Sequence, residues 1–73
     1  EVDFVAQNHK GITYYQVALS VHDESTLQRE LRPLQAIRDH YPKIILTMDE
    51  EPEEQYAGIR RINVRDWLLG LTE

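Results

Sequence analysis

Cysteine is absent from the chain, and glycine, proline and phenylalanine are sparse. The missing cysteine excludes disulfides, thiolate zinc sites and a thiol nucleophile together. It is compatible with a cytoplasmic setting, the localisation expected here. No apolar run approaches the roughly 18 residues of a membrane span, and no basic, apolar leader is present, so no membrane partner is expected. Positive charge is also short: eight Lys and Arg face thirteen Asp and Glu, for a net charge of −5. That balance disfavours the phosphate contacts behind most non-specific nucleic-acid affinity. Arg29, Arg32, Arg38, Arg60, Arg61 and Arg65 supply at most a local basic patch.

What is present reads as one small domain. A chain of 73 residues buries only about 60% of the surface its unfolded form exposes, so its core is thin. It starts at Glu1, and apolar alternation begins at once at Val2, which predicts a single unit over 1–73 taken from a longer protein. Val2, Phe4 and Ala6 alternate with more polar neighbours in the period of a strand. Asn8-His9-Lys10-Gly11 supplies a turn, and Ile12 to Leu19 returns as a second strand. A symmetric hairpin about His9-Lys10 pairs Asp3 with Gln16, Val5 with Tyr14 and Glu1 with Ala18. Glu1, Asp3, Tyr14, Gln16 and Ala18 then share one face, and Phe4, Tyr15, Val17 and Leu19 the other, which is expected to receive a helix.

Asp23 or Ser25 caps that helix, and Leu27, Leu31, Leu34, Ile37 and Tyr41 recur at helical spacing up to Pro42. Pro33 inside the pattern predicts a kink or two abutting pieces. The apolar run from Lys43 to Met48 suits a central strand covered on both faces, reached by a parallel crossover. Asp49 to Glu54, five acids around a proline, reads as a solvated loop without the spaced ligands and glycine of a calcium loop. Gly58 opens a last strand, Ile59 to Ile62. Asn63 caps a short helix with Trp67, Leu68 and Leu71 on its apolar face and Gly70 as a left-handed C-terminal residue. The order is β-β-α-β-β-α in an α/β fold with a mixed sheet. His9, His22 and His40 lack metal-ligand spacing and read as surface residues.

An acid on one strand opposite a polar-x-residue triplet on the next resembles the core of the PD-(D/E)xK nucleases, which implies a restriction-endonuclease-like core. In that family two oxygen ligands hold a divalent cation, whose bound water loses a proton more easily, and a nearby lysine assists. By this resemblance Asp3 takes the Asp position, Gln16 the Glu/Gln position and Ala18 the lysine position. Asp3 and Gln16 would be the metal ligands, with Mg²⁺ the implied cation and Glu1 a further oxygen. The alanine departs from the pattern, so the four positions read as a vestigial site and the segment as no enzyme. The plain alternative for Glu1, Asp3 and Gln16 is a polar sheet face, exposed or covered by an upstream helix.

EVDFVA, YYQVALS, ELRPL-x-AI-x-D-x-YPKI-x-LT and GI-x-RIN-x-x-DWLLG together resemble the C-terminal domain of bacterial and archaeal AAA-type P-loop ATPases of unknown function. The resemblance implies a non-catalytic accessory or interaction domain whose partner is the upstream ATPase domain. A divergent metal-dependent nuclease and a DNA-binding module that does not cut are the alternatives. Nothing here matches G-x-x-x-x-G-K-[ST], so ATP belongs to the upstream domain and no cofactor is expected in this segment.

Overall fold

The protein is described by a computed structural model covering residues 2–70. Its elements are β1 (Phe4–Asn8), β2 (Gly11–Val17), α1 (Glu24–Gln35), β3 (Lys43–Thr47), β4 (Glu54–Tyr56), β5 (Ile59–Asn63) and α2 (Val64–Gly70). All five strands form one mixed sheet in the order β1-β2-β3-β5-β4. The inner strands β2, β3 and β5 run parallel, and β1 and β4 are antiparallel edges.

The hairpin has the expected register, with Phe4 opposite Tyr15, Val5 opposite Tyr14 and Asn8 opposite Gly11. Asn8 Oδ1 accepts from the Lys10 amide at 2.8 Å and closes the turn. Gly11 sits at φ +135°, a conformation that favours glycine, and a Cβ there would also displace the Tyr41 ring, 2.9 Å away. β3 is central as expected, and Ile44, Ile45, Leu46 and Thr47 are all buried because a helix lies over each face of the sheet.

The faces are the reverse of the expected ones. Leu27, Leu31 and Leu34 of α1 pack on Ile45 and Ile59, with Tyr14 and Ala18 against the same cluster. The helix therefore covers the Tyr14, Gln16 and Ala18 face. Tyr15, Ile44 and Leu46 form the other cluster with Ile62 and Trp67, beneath α2. The reason lies in β3 and β5: register places Ile45 beside Gln16, and Ile45 and Ile59 present the apolar surface that the leucine stripe needs.

Asp23 caps α1, its Oδ2 accepting from the Thr26 amide at 3.1 Å. The helix is continuous through Pro33 and stops at Gln35, short of Tyr41. Proline offers no amide to the last turn. Beyond it the Ala36 amide donates to the Arg32 carbonyl and the Ile37 amide to that of Leu34, a tightening end. Ile37 still packs on the core, now from an irregular segment.

That segment is held by Asp39, whose Oδ2 accepts from the Tyr14 hydroxyl at 2.6 Å and whose Oδ1 accepts from Lys43 Nζ at 3.2 Å. The Tyr14 hydrogen bond, helped by the Tyr41 amide and Lys43, lowers the Asp39 pKa below 3.8 against the opposing effect of desolvation. A carboxyl depressed in the folded state gives stability that is complete above its unfolded pKa and disappears as pH falls through its folded one. In urea unfolding, wild type should exceed Asp39→Asn in midpoint at pH 7, and the two should converge below pH 3.8. Parallel curves across that range would refute the role.

Three further expectations are corrected. A short strand, β4, precedes Gly58, and Ala57 (φ 53°) and Gly58 (φ 87°) form the turn into β5, so the observed order is β-β-α-β-β-β-α. Asp49 is buried at 5% exposure and is no part of a solvated loop. Gly70 is the last residue of α2 and is not among the positive-φ residues, so it is no left-handed cap. Asn63 does cap α2, with Oδ1 accepting from the amides of Arg65 (2.8 Å) and Asp66 (3.2 Å). Glu1 and Leu71 lie outside the described residues. No described helix is long and apolar enough to cross a membrane.

Candidate functional site

The hairpin brings Asp3 and Gln16 together, and each holds the other's strand. The Asp3 amide donates to Gln16 Oε1 at 2.6 Å, and Asp3 Oδ2 accepts from the Val17 amide at 2.8 Å. These bonds extend the pairing past Phe4, where β1 begins, so side chains substitute for the ladder. Gln16 is 5% exposed and its Nε2 donates to Glu30 Oε1 at 3.0 Å, which ties β2 to α1. Glu30 was not singled out from the sequence. Its signal was its place beside Leu31, at the margin of the buried stripe of α1.

Ala18 is half-buried against the α1 cluster, and its amide donates to the Leu46 carbonyl. The position that the nuclease resemblance assigns to lysine is thus part of the apolar packing.

A second group lies where the parallel strands β2 and β3 end. The loop after β2 carries His22 and the loop after β3 carries Asp49 and Glu51, so the adjacent strand ends bring His22 to two acids that follow it by 27 residues or more. His22 Nε2 is 2.8 Å from Glu51 Oε1 and 3.5 Å from Asp49 Oδ1. One ligand atom from each of the three lies within 4.8 Å of the others, and among the described residues this is the one such trio of His, Asp or Glu. His22 is a surface residue, as the sequence indicates, and at that surface it meets two carboxylates that the sequence does not pair with it.

Asp49 is fixed from three sides. Its Oδ2 accepts from the Val21 amide at 3.0 Å, its amide donates to Thr47 Oγ1, and its carbonyl accepts from Asn63 Nδ2 at 2.9 Å. Burial pushes its pKa up, but the Ser20 hydroxyl, the Val21 amide and the charges of His22 and Arg61 outweigh this and hold it down. The Glu51 hydrogen bond is the main cause that raises His22, with Asp49 adding to it and burial and Arg61 opposing. The same bond lowers Glu51.

Beneath the trio is Arg61, 4% exposed. Its Nη2 donates to the Pro52 carbonyl at 2.9 Å, while Nη1 is buried without a hydrogen-bond partner. His22, Asp49, Glu51 and Arg61 share a cavity of about 320 Å³ also lined by Glu24 and Glu54. Of the other arginines, Arg60 is paired with Glu53, and Arg29 lies 3.9 Å from Glu30.

An uncharacterized protein of Haemophilus influenzae is 36% identical to the chain over 69 residues, which is 94% of this chain and 16% of that protein. The chain thus spans 16% of the length of the curated relative it matches. No family model and no solved structure matches it.

Proposed function

We propose that this chain is a non-catalytic accessory domain of a longer protein, built on a degenerate restriction-endonuclease-like core of the kind found at the C-terminus of AAA-type ATPases. One observation carries the reading: Asp3 and Gln16, the would-be metal ligands, bond to the hairpin's own backbone, beside an apolar Ala18. A cation drawing on those oxygens would compete with the bonds that seal the end of the hairpin. No side chain at position 18 offers a charge to a scissile phosphate.

The interaction role draws support from the face that carries α2. Phe4 is 41% exposed, Val17 49% and Leu68 53%, because a seven-residue helix covers only part of that face. The partner of that surface is the upstream ATPase domain of the same chain, which would also carry the ATP site.

Two measurements test the reading. In a Mg²⁺ titration followed by amide NMR, the Asp3 and Gln16 resonances should stay in place, and plasmid DNA should survive incubation with Mn²⁺. Mn²⁺-dependent cleavage that disappears in Asp3→Ala would establish the nuclease alternative instead.

A further inference from the structure

We propose that His22, Asp49 and Glu51 bind a divalent transition-metal ion of the zinc type, which clips the loop before α1 to the loop after β3.

The geometry is close to what such an ion needs. Metal–ligand bonds of about 2.0–2.2 Å place neighbouring ligand atoms about 2.9–3.5 Å apart in octahedral to tetrahedral arrangements. The separations from His22 Nε2 are 2.8 Å to Glu51 and 3.5 Å to Asp49. One imidazole nitrogen with two carboxylate oxygens suits zinc, cobalt or nickel better than magnesium or calcium, which take oxygen alone. The trio also sits beyond the carboxyl ends of parallel strands, where open α/β sheets receive their ligands.

Asp49 is the prepared member. With Oδ2 held by Val21 and its main chain by Thr47 and Asn63, its Oδ1 is set toward His22. His22 and Glu51 are exposed at 65% and 54% of their side chains, so they can close on an ion.

Arg61 bears on the water that such an ion would carry, and not on the ion itself. Arg61 lines this cavity with a buried, unpartnered Nη1, a donor that lacks an acceptor. Three protein ligands leave a fourth position on a zinc-type ion, and a water held there brings an oxygen into the cavity that Arg61 borders. The arginine does not cancel the pull on a cation, because Asp49, Glu51, Glu24 and Glu54 line the same cavity.

Cobalt(II) alone is the probe. Added to the full 73-residue chain, it should give the intense visible absorption of a low-coordinate site, displaced by zinc. Because ligand-orienting groups alone are worth about 10–100-fold in affinity, His22→Ala or Glu51→Gln should weaken cobalt binding about a hundredfold. Both residues are exposed, and circular dichroism checks that the variants remain folded. His9→Ala, His40→Ala and Asp3→Asn should bind as wild type does. No such absorption at millimolar cobalt, or an absorption that survives His22→Ala, overturns the site. An absorption lost in Asp3→Asn but kept in Glu51→Gln places the ion on the hairpin, and so overturns this inference in a way that also counts against the accessory reading.

Discussion

Ile45→Ala should destabilise the domain by between about 2 and 5 kcal/mol, the range for truncating a large aliphatic side chain in a core. Ile45 has 0% exposure on the central strand. It meets the leucine stripe of α1 and lies between Gln16 of β2 and Arg61 of β5 in the ladder. Its neighbours can close the gap only in part, since the backbone on both sides is held by parallel pairing. A 73-residue domain is stable by roughly 4–11 kcal/mol, so the loss is a large part of the total. Urea unfolding should show a much lower midpoint with an unchanged slope. A midpoint within error of wild type would mean that α1 does not rest on this strand. Val5→Ala on the exposed β1 is the matched control and should change stability by less than about 0.5 kcal/mol.

Asn63→Ala should cost about 2–4 kcal/mol, more than a helix cap alone. Asn63 Oδ1 takes the first amides of α2, and replacing such a cap by alanine costs about 1 kcal/mol. Its Nδ2 donates to the Asp49 carbonyl, which alanine would leave buried and unsatisfied, at about 1–3 kcal/mol. Asn63→Asp separates the two parts. It keeps the cap acceptor but sets a carboxylate against that carbonyl, so it should not restore wild-type stability. If it does, the cap is the whole contribution. Trp67 is the one tryptophan, and it packs edge-on to Tyr15 with centroids 5.3 Å apart, so its fluorescence reports undocking of α2 directly.

Local signals carried far in this chain. The Asn8-to-Gly11 turn fixed the hairpin register, Asp23 and Asn63 were readable as caps, and the unbroken apolar run of β3 marked a strand covered on both sides. What failed depended on neighbours remote in sequence. Phe4, Tyr15 and Val17 alternate as cleanly as the opposite face, and only the positions of Ile45 and Ile59 decide which face α1 covers. β4 has three residues and no alternation to reveal it. Asp49 looked like the first of a solvated acidic run until the fold surrounded it with Val21, Thr47 and Asn63. The approach of His22 to Asp49 and Glu51 follows from parallel pairing of β2 with β3, which no spacing within either loop encodes.

The outermost strand has a consequence for how the domain can change. All five residues of β1 are exposed and the strand has only one neighbour, so between Phe4, which stacks on Tyr15, and Asn8, which closes the turn, its side chains are nearly free of the demands of folding. β2 beside it is anchored to the central strand and does not share that freedom. New recognition chemistry can therefore be tried on β1 at little risk to the rest, while the same substitutions on β3 would unfold the molecule. The domain keeps its capacity to adapt at one margin and its identity at the centre.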